Sequence, residues 1–162
     1  MGTLSIVGTP IGNLGDITLR ALETLRQADV IACEDTRVTA RLLARYDIQK
    51  PLLIFHARSG KLASDRILAA LAEGKRVALV TDAGTPGISD PGNELVKIVR
   101  ERLKDEIRIE AIPGPSAVAA ALSIAGVHSD AFTFLGFLPH KKGRQTLFKE
   151  IAESERAVVF YV

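Results

Sequence analysis

The sequence predicts an α/β protein built around a parallel sheet. Short apolar runs alternate with amphipathic segments through most of the 162 residues, the rhythm of βαβ crossovers. Loops of unusual composition follow four of the apolar runs, where an open parallel sheet holds its ligands. Aromatics make up only 5% of a chain that is 47% hydrophobic. The core must therefore come from Val, Ile, Leu and Ala, the residues of strands covered on both faces.

Leu4 to Gly8 reads as the first strand. Beyond its loop, Asp16 is placed to cap a helix in which Leu19, Leu22 and Leu25 share a face. Val30 to Cys33 is a second strand, and Thr36 to Tyr46 a helix with Val38, Leu42 and Leu43 inward. Pro51 introduces a strand over Leu52 to Phe55. A helix from about Lys61 carries Ile67, Leu68 and Leu71 and stops at Gly74, a residue suited to the left-handed exit of a helix. Arg76 to Val80 is the fourth strand. Asp90 and Pro91 form a cap followed by a first-turn proline, ahead of a helix with Leu95, Ile98 and Val99 on one side. Ile107 to Ile112 is the fifth strand, and Ser116 to Ala125 a small-residue helix ended by Gly126. Crossovers between these strands are right-handed by default.

After Gly126 the character changes. Phe132, Phe134 and Phe137 hold half of the six phenylalanines, and a basic loop and helix come next. A boundary near 126–130 divides an N-terminal α/β domain (1–127) from the start of a second α/β domain (128–162). The apolar strand Ala157 to Val162 ends the sequence, and a strand is an unusual terminus. We expect the chain to be part of a longer protein.

A net charge of +2 neither demands nor excludes a nucleic-acid partner. No apolar run approaches the roughly 18–20 residues needed to cross a bilayer, and Met1-Gly2-Thr3 does not open a signal peptide. The single cysteine, Cys33, fits a reducing cytoplasm and reads as a small buried apolar residue. His56 and His128 stand apart from any His or Cys at ligand spacing, so no metal site is expected.

The first unusual loop is Gly8-Thr9-Pro10-Ile11-Gly12-Asn13-Leu14-Gly15. It permits close backbone approach, yet it matches neither the phosphate-binding loop nor the dinucleotide fingerprint. A tight turn and a ligand loop explain it equally well. The second is Glu34-Asp35-Thr36-Arg37. Asp35 could cap the next helix while Arg37 pairs with Glu34; alternatively, two carboxylates and a guanidinium orient a hydroxyl or phosphate. The third spans Thr81 to Gly92, twelve residues with three Gly, two Pro and two Asp, far more than a connection needs. Its amides could hold an adenosine or methionine moiety, and Asp82 could accept from hydroxyls or an ammonium. The fourth is Pro113-Gly114-Pro115-Ser116-Ala117, with Ser116 at a helix start.

Together these loops resemble the tetrapyrrole-methylase family, in particular its branch of ribosomal-RNA ribose methyltransferases. The resemblance rests on Val7 to Leu14, Glu34 to Arg37, Asp82 to Pro86 with Ile88 to Gly92, and Pro113 to Ala117. Phe134 to Pro139, followed by Lys142 and Arg144, extends it over essentially the whole chain. The resemblance implies two α/β domains with S-adenosylmethionine folded in the cleft between them, usually in a homodimer. The implied substrate is a cytidine ribose 2′-hydroxyl in 16S RNA of the small ribosomal subunit. It further implies that Pro10 shapes the cofactor floor and that Ala83, Gly84, Thr85 and Ile88 meet the cofactor through backbone, beside Asp82. By the same resemblance Ser116 and Ala117 should bracket its other side, and Phe160-Tyr161-Val162 resembles the segment that closes over it. Val162 stands where the branch often has Glu, and the Pro-His-Arg-like stretch that follows there is absent.

A sulfonium methyl is already activated, so the protein must align the reactants and remove a proton from the attacking oxygen. Glu34, Asp35 and Asp82 are the candidate bases, and the sequence does not choose among them. Arg37, Lys142 and Arg144 are the candidate phosphate contacts; for His140 and Lys141 a solvated basic turn serves as well. Two other readings remain: methylation of a small tetrapyrrole or corrinoid, and a cofactor-binding module without catalysis.

Overall fold

The computed structural model of the chain describes residues 1–56 and 59–162. They form two compact units, 1–116 and 117–162. The sequence-based boundary at 127/128 thus lies one helix beyond the division, which falls directly after the Pro113–Pro115 turn.

In the first unit, β1 (Gly2–Val7), β2 (Val30–Cys33), β3 (Leu52–Ile54), β4 (Arg76–Leu79) and β5 (Ile107–Ile112) form one sheet in the order β3-β2-β4-β1-β5. Every pairing is parallel. The connecting helices are α1 (Leu19–Gln27), α2 (Thr36–Arg45), α3 (Gly60–Ala72) and α4 (Gly92–Leu103). Side chains alternate across a strand with period two, and here that alternation sorts the core into two layers. Ile31 and Cys33 of β2 join Ala21, Leu22 and Leu25 of α1 and Leu42 and Leu43 of α2. Val30 and Ala32 join Ile67, Leu68 and Leu71 of α3 and Leu95 and Val99 of α4.

This layering positions the site. β1 and β4 are neighbours, yet the loop after β1 runs to α1 on one face and the loop after β4 to α4 on the other. A crevice opens where adjacent strands send their connections to opposite faces, and that switch point is where open α/β sheets bind ligands.

Several local expectations are corrected. Asp16 does not cap α1. It ends a 3₁₀ turn, Leu14–Asp16, in which Gly15 N–H donates to Asn13 Oδ1 at 2.9 Å. The turn delays the helix by two residues, and Thr18 caps it by accepting from Ala21 N–H at 3.1 Å. The shift turns Leu19 outward, 86% exposed, and Ala21 inward. In α2 the buried positions are Thr39, Leu42 and Leu43, while Val38 faces out. Asp90 does accept from Gly92 N–H at 2.7 Å at the start of α4, and Gly74, at φ +83°, ends α3 as expected.

The second unit contains α5 (Ala117–Ala125), β6 (Phe132–Phe137), α6 (Arg144–Ala152) and β7 (Ala157–Tyr161). β6 and β7 pair in parallel with a register shift between Phe134 and Phe137. The Tyr161 ring lies 5.0 Å from each of those two rings.

Candidate active site

The loops after β1, β4 and β5 meet at the carboxyl rim of the sheet. Thr9 N–H donates to Gly84 O at 2.9 Å, and Gly84 N–H returns a bond to Thr9 O at 3.1 Å. Thr9 Oγ1, fully buried, donates to Thr81 O at 3.1 Å. Gly84 takes φ +87°, a conformation a side chain would strain. On the other side of β1, Gly8 N–H donates to Ile112 O at 3.0 Å. A Cβ on Gly114 would lie 2.9 Å from the Gly8 carbonyl oxygen, so these two backbones pass too closely for any larger residue. Thr85 Oγ1 donates to Pro115 O at 3.3 Å. Three segments remote in sequence are thereby tied into one knot.

The loop after β2 joins the same rim. Thr81 Oγ1 donates to Glu34 Oε1 at 2.5 Å, and Asp35 N–H donates to Asp82 Oδ1 at 3.3 Å. Asp35 also caps α2 through Arg37 N–H at 2.8 Å and takes the Arg37 guanidinium at 2.6 Å. The predicted Arg37–Glu34 pair is therefore an Arg37–Asp35 pair. Consecutive residues leaving a strand point to opposite sides, and Asp35, as the cap, is the one turned towards the helix.

These surroundings separate the carboxylates. Partial burial pushes the Glu34 carboxyl up, with the Asp90 and Asp82 charges adding to it and the Thr81 hydrogen bond opposing it. The hydrogen bonds from Arg37 pull Asp35 down to about 2. Glu34 is thus the better proton acceptor and Asp35 a fixed anion. The Cys33 thiol, fully buried, is pushed up by that burial, as suits a packing residue.

A cavity of about 340 Å³ opens beside the knot, between the loop after β1, α2 and the start of the loop after β4. Pro10, Ile11, Leu14, Val38 and Leu42 supply apolar wall; Thr39, Arg41 and Asp82 supply polar edge. The volume lies within the range of small-ligand sites, and a mainly apolar lining with few polar groups is their usual chemistry. An adenosine-bearing methyl donor fits that donor set: a flat apolar ring system, hydroxyls for Asp82, and small Ala83 where the backbone must come close.

Of the predicted cofactor residues, Pro10, Asp82 and Ala83 line this cavity. Gly84 and Thr85, next in the loop, are not in its lining and have backbone or hydroxyl groups committed to the knot. Ile88 is half exposed, Ser116 ends the first unit, and Ala117 and Val162 belong to the second. Lys142 and Arg144 also lie in the second unit, where the Arg144 guanidinium sits 5.5 Å from the Phe148 ring centre. Sequence reasoning missed Thr9, Thr39 and Thr81, buried hydroxyl residues at the rim. For Thr9 and Thr81, a threonine at the junction between an apolar strand and a glycine-rich loop was the available signal; Thr39, inside α2, offered none. Sequence reasoning also gave Asp90 too small a part: besides Gly92, its carboxylate accepts from Gly87 N–H at 2.8 Å, pinning a turn in which Ser89 takes φ +63°. Among the described residues, no cluster of His, Cys, Asp and Glu could hold a metal ion, and no helix is long and apolar enough to cross a membrane.

The chain is similar to known proteins in sequence and in fold. The family model for tetrapyrrole (corrin/porphyrin) methylases matches residues 3–162. Ribosomal RNA small subunit methyltransferase I of Thermotoga maritima is 50% identical over 161 residues, 99% of this chain and 71% of that protein. The protein of the same name in Escherichia coli O157:H7 is 49% identical, again over 99% of this chain but 55% of its own length. Against most such relatives the chain spans little more than half their length. Among solved structures, uroporphyrin-III-C-methyltransferase of Thermus thermophilus aligns with a TM-score of 0.63 at 25% identity, over 86% of this chain and 61% of that one. Diphthine synthase aligns at 0.74 and 19% identity, over 98% and 63%; at that identity the likeness is one of fold.

Proposed function

The chain belongs to the tetrapyrrole (corrin/porphyrin) methylase family, and from that membership we propose that it binds S-adenosylmethionine and serves methyl transfer to the 2′-hydroxyl of a cytidine in small-subunit ribosomal RNA. The observation that carries this reading is the reciprocal Thr9–Gly84 pairing, which gathers the two long loops around one cavity at the β1–β4 switch point. The half-identity to proteins named for ribosomal RNA supports the substrate class over a tetrapyrrole.

S-adenosylmethionine supplies a methyl group already activated on a sulfonium. The chain's own residues supply place and proton transfer. Pro10, Ile11 and Leu14 exclude water from one side of the cavity, Ala83 and Gly84 admit close approach, and Asp82 accepts from hydroxyls or an ammonium. Thr85, Ile88, Ser116, Ala117 and Val162 complete the proposed donor contacts. A ribose hydroxyl is a poor nucleophile near neutral pH and gains from a positioned base. Glu34 takes that part: its proton affinity is raised, and Thr81 holds its carboxylate in place. Arg37, Lys142 and Arg144 hold RNA phosphates. A single cysteine suits work in the cytoplasm, and a homodimer is the proposed assembly.

The test is tritium transfer from labelled S-adenosylmethionine by the full-length protein, offered undermethylated small ribosomal subunits and a precorrin in parallel. Label in the RNA at a nucleotide resistant to alkaline cleavage is expected. Label in the precorrin alone would overturn the substrate. Calorimetric preference for ATP or NAD over S-adenosylmethionine would overturn the donor.

A further inference from the structure

The exposed face of α2 carries a feature that extends beyond the donor cavity. Arg37, Arg41 and Arg45 recur every fourth residue, so they form one stripe along the helix, about 12 Å from first to last at 1.5 Å per residue. All three are exposed. α2 has no acidic residue, whereas α1, α3, α4 and α6 each mix both signs. Among the described residues, only Arg37 of the three meets a carboxylate, that of Asp35.

Helix stability does not explain the stripe. A cation in the last turn complements the helix dipole, which accounts for Arg45; a cation in the first turn opposes it, and Arg37 stands there. Arg41, in the middle, gains nothing from either end. What the stripe does share is its direction. Arg41 lines the cavity, and the far end of α2 is fastened to the cavity's loop, since the Tyr46 hydroxyl donates to the Leu14 carbonyl. The Arg45 guanidinium lies 5.7 Å from the Tyr46 ring centre.

We propose that the Arg37–Arg41–Arg45 stripe of α2 is a phosphate track that leads the RNA strand to the cavity, with Arg41 at its mouth. Arginine suits the task because its planar fork grips phosphate oxygens in pairs. The proposal rests on the reading of the site as an RNA methylase and adds to it the surface along which the substrate lies.

The experiment compares the full-length protein with its Arg41→Gln/Arg45→Gln variant and an Arg100→Gln control on α4, across the sheet. Binding of a small-subunit RNA fragment is measured over a salt series, and S-adenosylmethionine binding by calorimetry. Each single-strand phosphate contact contributes about 0.7 to the slope of log affinity against log salt, or about five-fold near 0.1 M. The double variant should therefore lose about 25-fold in RNA affinity and about 1.4 in slope with the control unchanged. An Arg45→Gln single variant, which leaves the cavity lining intact, should lose about five-fold and about 0.7 in slope with donor binding kept. Unchanged RNA affinity and slope in the double variant would overturn the track while leaving the methylase reading intact. Failure of the unsubstituted protein to bind RNA would overturn both. Unchanged RNA binding together with lost binding of polyglutamate would reassign the stripe to an acidic protein.

Discussion

The two rims of the sheet solve opposite problems with the same strands. At the amino rim the connections are short: Ala28 and Asp29 link α1 to β2, and residues 73–75 link α3 to β4. Their bonds close the sheet locally. Asp29 Oδ2 accepts from Arg76 N–H at 2.7 Å, and Asp29 N–H donates to Arg76 O at 2.8 Å. At the carboxyl rim the loops after β1 and β4 are long, and bonds join Thr9 to Gly84, Thr81 to Glu34 and Thr85 to Pro115. One rim finishes the fold, whereas the other holds loops open around a cavity by tying them to one another. Substitutions at the two rims should therefore separate stability from activity.

The largest separation is expected from Glu34→Gln. Loss of a positioned base costs 10²–10⁴-fold, so kcat should fall by about that factor while donor affinity holds. Melting at neutral pH should not fall. A raised carboxyl binds its proton more tightly in the folded state, so it withdraws stability as pH rises through the carboxylate range, and the amide removes that loss. Unchanged kcat would return the base to Asp82 or to another residue. The amino-rim counterpart is Leu71→Ala in the last turn of α3. Leu71 is fully buried, and truncation should cost about 2–5 kcal/mol in urea unfolding with donor affinity retained. Gly114→Ala tests whether the rims are truly distinct. Its Cβ would meet the Gly8 backbone, so about 1–3 kcal/mol of overpacking should appear together with weakened donor binding. Asp29→Ala should cost about 1 kcal/mol and leave methyl transfer alone. The smallest effect concerns pH. Asp35, lowered from 3.8 to about 2, contributes stability that is complete above about pH 4 and is lost as pH falls towards 2. Asp35→Asn should flatten the acid unfolding profile in that window, lowering stability slightly at pH 7, where the carboxylate is fully ionised, and converging with the unsubstituted protein near pH 2.

The five-stranded parallel sheet was legible in the sequence because its strands are apolar runs bounded by Gly and Pro, signals that tertiary packing reinforces. The strand order was not, since nothing in the sequence of β4 says that it inserts between β2 and β1. The start of α1 was misread for a local reason: Asp16 and Thr18 are both good caps, and only the 3₁₀ turn decides between them. The rim was legible as composition, and Asp82 stood out by its chemistry; Pro10 and Ala83, which also line the cavity, came from the family resemblance. The partner of Arg37 was not, because Glu34 and Asp35 differ only in which way the strand turns them. The spacing of Arg37, Arg41 and Arg45 stands in the sequence, but sequence reasoning did not single it out, since only the structure shows that Arg41 borders a cavity.

The Thr9–Gly84 pair has one more consequence. Two reciprocal backbone bonds between buried residues make a single rung of antiparallel ladder at a place with no strand. In heavy water, those two amides should keep their protons far longer than exposed Gly12 in the loop after β1 keeps its own, giving protected signals within the most glycine-rich stretches of the chain. A methyl donor settling against them would have rigid ground on one side from the outset, and the remaining ordering would fall to the rest of the loop.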